Sequence, residues 1–190
     1  MNTPTATDNL VWLLPINLMG DEMEKNPILD IAIEYLIAGM AERDLEERQH
    51  CRRVEKLCAM TAAEMNWNSE EISDLKLAAL LHHMDRSLVP QSAISRKVAA
   101  YLTSFNRRKA NPHVRLLTLA DRADEGASII AVSDTFDRLT SLQRYRRPLN
   151  EKDALEILKR DAEGTVDERT VEAFARSYMR ELQNCEQKAA

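Results

Sequence analysis

The sequence predicts an all-α protein, a bundle of six to eight helices with essentially no sheet. Apolar residues recur at spacings of three to five along most of the chain, which is the period of an amphipathic helix. No segment of useful length alternates between apolar and polar residues, as a half-buried strand would. Only 4 of the 190 residues are glycine and 6 are proline, a composition that argues against a turn-rich β protein or a fibrous one.

The overall composition limits the class of protein. With 44% hydrophobic and 30% charged residues, a chain of this length is expected to bury a core as one domain. Its formal net charge of −5 excludes a generic binder of nucleic-acid polymers. No apolar run approaches the roughly 18 residues of a membrane span, so no membrane association is expected. The three cysteines form no CxxC pair, which excludes a disulfide scaffold or a zinc knuckle and favours a reducing cytoplasm.

The first elements are predicted from the point where the apolar pattern begins. Residues 1–26 are expected to be an irregular N-terminal lead-in, and residues 27–190 to form the helical domain. Pro27 fits the first turn of a helix, where a missing N–H costs little. A second helix is predicted over residues 45–65, because apolar side chains recur there on one face.

The third helix carries the clearest start signal in the chain. Asn68 is followed three residues later by Glu71, the spacing of a capping box. We therefore predict a helix over residues 69–84. A fourth helix is predicted over residues 93–109, which end in a basic cluster.

The remaining helices are predicted from periodicity and from their end signals. Asn150 is a candidate N-cap, and Glu163-Gly164 is a candidate C-terminal stop for the helix that Asn150 begins. The predicted segments are residues 114–119, 128–139, 151–160 and 167–182.

The four histidines are the residues most informative about chemistry, and His50 is the first of them. Glu46 and His50 are four residues apart, so both side chains lie on one face of the second helix. That spacing suits two ligands of one metal ion or a hydrogen-bonded pair. It equally suits a surface ion pair on a helix rich in charges.

His82 and His83 follow an apolar run at the end of the third predicted helix. Adjacent helical residues point about 100° apart, so at most one of them faces the same way as the apolar stripe. A histidine in that place is either a satisfied core residue or a ligand. Asp134 and Asp137 lie three apart on an otherwise apolar helix, where a buried carboxylate needs a cationic partner, either an arginine or a metal.

Four segments, taken in order, also resemble a known family. The second, DLKLAALLHHMDRSLVP, is similar to the family pattern LxLAALLHDIGKIGVP, and the third, EGASIIAVSDTFDRLTS, to LGARIIAVADAFDALTS. Together with residues 40–57 and 145–174, they resemble the HD domain of metal-dependent phosphohydrolases. More narrowly, they resemble the HD-GYP group of bacterial cyclic di-GMP phosphodiesterases. The resemblance implies an HD-domain helical bundle.

The resemblance also implies where metal ligands would lie. The family's ligand positions fall on Glu46, His50, His82 and Asp134. His83 and His113 are further candidates, His113 on a looser alignment. The family's substrate-contacting arginine falls on Gln143, and the neighbouring candidates for phosphate binding are Arg144, Arg146 and Arg147.

Several positions depart from the family pattern. His82 keeps the histidine of the HD dyad, but His83 stands where the family has an aspartate that bridges two metal ions. Asp85 and Arg86 stand where the family has the glycine and lysine of DIGK. The HHExxDGxGYP segment is missing, because residues 90–128 are too short to hold it. We therefore expect His82, His83, Asp85 and Arg86 to be at most remnants of a catalytic centre.

These departures predict a degenerate HD-GYP-like domain that acts as a bacterial signalling or protein-interaction module without cyclic di-GMP phosphodiesterase activity. One transition metal, iron, manganese or zinc, could still be held by His50, His82 and Asp134. The alternative is a metal-free polar cluster that includes Arg86 or Arg138. Two other functions stay open: a single-metal phosphohydrolase acting on a nucleotide or phosphate ester, and a cyclic-dinucleotide receptor. A protein partner in the cytoplasm is expected, and a homo-oligomer is compatible with the sequence.

Overall fold

The computed structural model describes residues 45–84, 94–110, 122–142, 147–165 and 167–189. Within these ranges the chain is helical with no strand, which confirms the all-α prediction. The predicted lead-in, the helix after Pro27 and the segment 114–119 lie outside the described residues. The six described helices are α1 (Leu45–Glu64), α2 (Ser69–Leu81), α3 (Arg96–Ala110), α4 (Arg122–Thr140), α5 (Glu151–Thr165) and α6 (Glu168–Ala189).

Two helix starts carry the side-chain caps that the sequence predicts. Asn68 accepts a hydrogen bond from the backbone N–H of Glu71 at 2.9 Å, and the Glu71 carboxylate accepts one from the Asn68 N–H at 3.3 Å. This reciprocal pair is a capping box, and it satisfies two N–H groups that α2 would otherwise leave unpaired. Asn150 caps α5 with its side-chain oxygen, which accepts a hydrogen bond from the backbone N–H of Asp153 at 2.8 Å.

Several helix ends differ from the predictions. α2 ends at Leu81 rather than at residue 84, and α6 continues to Ala189 rather than to residue 182. The stop predicted at Glu163-Gly164 is wrong, because α5 continues through the glycine to Thr165. A single glycine costs a helix only about 1 kcal/mol, which the rest of the helix can offset.

α4 begins at Arg122, six residues before the predicted start, and Gly126 is part of it. This glycine is required by a close approach, since a Cβ at that position would lie 2.5 Å from Cδ1 of the buried Tyr101. The ring of Tyr101 on α3 therefore packs directly against the backbone of α4. A glycine inside an apolar helical pattern marks a packing contact here rather than a helix end.

The core has two parts that share α1 and α4. The first lies between α1, α2, α3 and the N-terminal half of α4, and it contains Leu75, Tyr101 and Ile129. The second lies between the C-terminal half of α4 and helices α5 and α6, and it contains Phe136 and Phe174. The three elements that carry the candidate site residues, α1, the end of α2 and the middle of α4, thus meet inside the bundle. Among the described helices, none has the length and apolar character that a bilayer crossing needs.

Candidate metal centre

Four side chains from three separate helical elements converge on one point. His50 comes from α1, His82 and His83 from the turn after α2, and Asp134 from α4. One nitrogen or oxygen of each lies within 4.8 Å of those of the other three. Asp134 Oδ1 is 3.0 Å from His50 Nε2, 3.7 Å from His82 Nε2 and 3.8 Å from His83 Nε2. The structure thus brings together three of the four ligand positions implied by the resemblance, together with His83, one of the two further candidates.

Both adjacent histidines at the end of α2 reach Asp134. α2 ends at Leu81, and residues 82–84 form a turn in which His82 keeps helical backbone angles. The rings of His82 and His83 lie 4.1 Å apart between centroids and are nearly perpendicular. His82 is buried with its ring edge against Phe105, whereas His83 lies nearer the surface.

Asp137 fixes the orientation of His50. His50 Nδ1 lies 2.8 Å from Asp137 Oδ2, and the same carboxylate accepts two hydrogen bonds from Arg53, at 2.5 and 2.9 Å. Burial raises the pKa of Asp137, but His50 and Arg53 outweigh it and hold that pKa below its usual range. Because an ionised carboxylate only accepts, His50 Nδ1 carries the proton of this bond, and Nε2 faces Asp134.

His82 is held in the same tautomer by the backbone. Its Nδ1 donates to the carbonyl oxygen of Ala79 at 2.6 Å. Burial lowers the pKa of His82 below its usual value, so the neutral ring is favoured and Nε2 carries a lone pair. Both His82 Nε2 and His50 Nε2 are buried without an aligned hydrogen-bond partner, although each points towards Asp134.

His83 is oriented by two charged residues. Its Nδ1 is in close contact with a carboxylate oxygen of Glu47, and its Nε2 lies 2.8 Å from Arg138 Nη2. A guanidinium group has only donors, so His83 Nε2 must accept and Nδ1 must donate to Glu47. Arg138 also donates from Nε to Asp134 Oδ1 at 2.7 Å. All three histidines therefore present Nε2 to the interior of the cluster and donate from Nδ1.

Charged groups in the cluster shift the pKa values of Asp134 and His50. Burial raises the pKa of Asp134, but the three histidines and Arg138 outweigh it and hold that pKa far below its usual range. Burial lowers the pKa of His50, but Asp134 and Asp137 outweigh it and raise the pKa to about 9. In the absence of a metal ion, the His50 imidazolium and the Arg138 guanidinium therefore compensate Asp134. Arg138 is thus the cationic partner that the sequence requires for this carboxylate.

The donor set fits a divalent transition metal. Three imidazole nitrogens and one carboxylate oxygen suit zinc, iron or manganese. Histidines that bind metals almost always donate their other ring N–H to a carboxylate or a backbone carbonyl, which fixes the tautomer. Asp137, Ala79 and Glu47 provide these acceptors here. The buried Nε2 of neutral His82, which has no aligned hydrogen-bond partner, is the kind of donor atom that a metal ion would satisfy.

The other predicted site residues either lie outside the cluster or are not among the residues that the structure describes. Glu46 is exposed on α1 and does not belong to the four converging side chains. Arg147 is exposed just before α5. The remaining candidates lie outside the described residues: Asp85, Arg86, His113, Arg144 and Arg146.

Three supporting groups were not predicted from the sequence. Glu47 and Arg53 each lie three residues from His50 on α1, a helical spacing that could have pointed to them. The Ala79 carbonyl carries no signal in the sequence, because any residue at that position would present the same oxygen.

Comparison with protein-family models, with curated protein sequences and with solved structures finds no match to this chain. The relation to HD domains is therefore carried by the four sequence segments, and it stays a prediction.

Proposed function

We propose that this chain is a single-metal helical module of the HD type that acts in bacterial signalling through a protein partner and does not hydrolyse cyclic di-GMP. The observation that carries the metal centre is the common orientation of the three histidine rings. His50, His82 and His83 all turn Nε2 towards Asp134 Oδ1 and donate from Nδ1 to a separate acceptor. This is the arrangement of a metal site with its supporting shell.

The proposal of a bound metal rests on the cost of the cluster without one. A buried polar atom without a partner costs about 1–3 kcal/mol. His82 Nε2 is such an atom, whereas His50 Nε2 lies 3.0 Å from Asp134 Oδ1. A divalent ion held by His50, His82 and Asp134 would satisfy both nitrogens and the carboxylate together. Binding would displace the proton from His50 Nε2, so metal affinity rises with pH.

The proposal of inactivity rests on the ligand at position 83. A bound metal would supply charge that polarises a phosphate oxygen and lowers the pKa of water. A bridging carboxylate is what holds two cations a few ångströms apart, and a neutral imidazole with one lone pair does not bridge. With His83 in that place, the described residues provide for one ion rather than two.

One observation favours a second candidate, a single-metal phosphohydrolase. The Arg138 side chain is 45% exposed, so the cluster borders solvent on that side. A guanidinium beside a metal ion is well suited to pair with a phosphate oxygen. The cyclic-dinucleotide receptor, with Arg144, Arg146 and Arg147 as phosphate ligands, stays a prediction to which the described contacts add no support.

The experiment that tests the proposal combines metal content with turnover. Untagged wild-type protein and His82→Ala are purified without added metal, and elemental analysis measures zinc, iron and manganese per chain. We expect about one ion in the wild type and a large loss in the variant, with circular dichroism as the control for folding.

Turnover is then measured by chromatography of cyclic di-GMP and of a simple phosphate monoester after incubation with each protein. We expect no product above background from either substrate. A wild-type product that disappears in His82→Ala would replace the proposal with the phosphohydrolase, and a wild type without metal would refute the metal centre.

A further inference from the structure

The hydrogen bond between Arg138 and His83 has a consequence for the number of metal ligands. A neutral imidazole has one nitrogen lone pair in the plane of its ring, here on His83 Nε2. Arg138 Nη2 donates to that nitrogen at 2.8 Å. The lone pair cannot accept this hydrogen bond and bind a metal ion at the same time. Arg138 and a metal therefore compete for His83.

We propose that Arg138 sets the coordination of the metal by withholding His83. While the hydrogen bond holds, the ion has three protein ligands, His50, His82 and Asp134, and one position remains open to water or a small oxyanion. When Arg138 leaves, His83 completes a closed set of four protein ligands. Open positions are typical of reactive metal sites and closed sets of structural ones. This inference rests on the proposed metal centre and specifies its ligand.

The position of Arg138 on α4 makes both states accessible. It lies four residues after Asp134 on the same helix, where its Nε donates to Asp134 Oδ1 at 2.7 Å and its Nη2 to His83 Nε2 at 2.8 Å. With 45% of its side chain exposed, Arg138 can turn into water without crossing the core. His83 does not need to travel far, since its Nε2 is already 3.8 Å from Asp134 Oδ1.

The charge of Arg138 also favours an oxyanion at the open position. A guanidinium within reach of the ligand cluster pairs readily with a phosphate-type oxygen, in geometry that can be bidentate. We therefore infer that the class of exogenous ligand is a small oxyanion, with inorganic phosphate as its simplest member. In the closed state no position remains for it.

The test uses Co²⁺ as the probe, because its visible absorption reports the ligands and geometry around the ion without any need for activity. Metal-free wild type, Arg138→Ala and the control Arg176→Ala are titrated with Co²⁺, each checked by circular dichroism. Arg176 is a suitable control, since it is a half-exposed arginine on α6 that pairs with Glu64 instead of the cluster. We expect Arg138→Ala to bind Co²⁺ at least about tenfold more tightly than wild type, because the ion gains a fourth protein ligand and no hydrogen bond to His83 has to be broken. We also expect the Co²⁺ spectrum of the variant to differ from that of wild type, because an imidazole takes the place of the water ligand, and Arg176→Ala to match wild type.

Addition of inorganic phosphate separates the open site from the closed one. The wild-type Co²⁺ spectrum is expected to shift with phosphate, and the Arg138→Ala spectrum to stay unchanged. A His83→Ala background then separates ligand competition from simple charge repulsion, because Arg138→Ala should no longer tighten binding there.

Two results would overturn the inference alone, and a third would overturn the metal centre as well. Equal affinity and equal spectra of wild type and Arg138→Ala would overturn the inference while leaving the metal centre intact. A gain in affinity that persists in the His83→Ala background would overturn it as well, because repulsion alone would explain the gain. Failure of both wild type and Arg138→Ala to bind Co²⁺ would overturn the metal centre itself, and the inference with it.

Discussion

Replacement of Asp137 by asparagine is expected to weaken both the fold and the metal centre. Asp137 is buried and accepts hydrogen bonds from His50, from two nitrogens of Arg53 and from the hydroxyl of Ser141. Asparagine keeps the size of the side chain but removes its charge and one acceptor oxygen. The buried bond to His50 is worth about 1.5–3 kcal/mol. The bonds to Arg53 add only about 0.5–1 kcal/mol, because that side chain is 43% exposed.

We therefore expect Asp137→Asn to lower the free energy of unfolding of the metal-free protein by about 2–4 kcal/mol. Urea denaturation followed by circular dichroism measures this quantity. Glu181→Gln is the matched control, since Glu181 pairs with Lys56 at the surface and its loss should cost less than about 0.5 kcal/mol.

The same variant should also bind metal less tightly. Loss of the acceptor that fixes a ligating histidine typically costs 10–100-fold in metal affinity. A Zn²⁺ titration of the same two proteins measures it. Stability and Zn²⁺ affinity that both match wild type would refute the assignment of Asp137 as the residue that positions His50.

Two further predictions concern the core. Burial raises the pKa of the Cys51 and Cys58 thiols to about 12. In a Cys185→Ser background, neither thiol should therefore react with a thiol reagent at neutral pH while the protein is folded, and both should react once it is unfolded. A rapid reaction of the folded protein would contradict their burial. Gly126→Ala places a methyl group 2.5 Å from the ring of Tyr101 and should cost about 1–3 kcal/mol in urea denaturation, whereas an unchanged midpoint would show that the ring can move aside.

The parts of the fold that follow from local signals were predictable from the sequence. Asn68 and Glu71 predict the start of α2, because both partners of the capping box lie within four residues of each other. The ends of helices were less predictable, because packing decides them. Position 126 within α4 needs a glycine because Tyr101, 25 positions earlier in the chain, packs against it, and no pattern in the sequence contains that contact.

The candidate site was predictable in its members but not in its hydrogen bonds. His50, His82 and Asp134 could be named from the family resemblance, and the need of Asp134 for a cation from elementary electrostatics. The sequence could not show that the cation is Arg138, nor that the same guanidinium donates a hydrogen bond to His83. Both contacts depend on where α2 ends relative to α4. The tautomers of the three rings depend on such contacts in the same way.

Calorimetric titration of Zn²⁺ into metal-free protein tests the central claim most directly, because it measures the number of ions bound by the cluster. We predict one Zn²⁺ per wild-type chain, with the release of a proton into the buffer as His50 gives up its Nε2 hydrogen. We predict that binding is lost in His82→Ala, with circular dichroism showing that this variant remains folded. Absence of binding by the wild type, two ions per chain, or undiminished binding by folded His82→Ala would each contradict a single-metal centre at these residues.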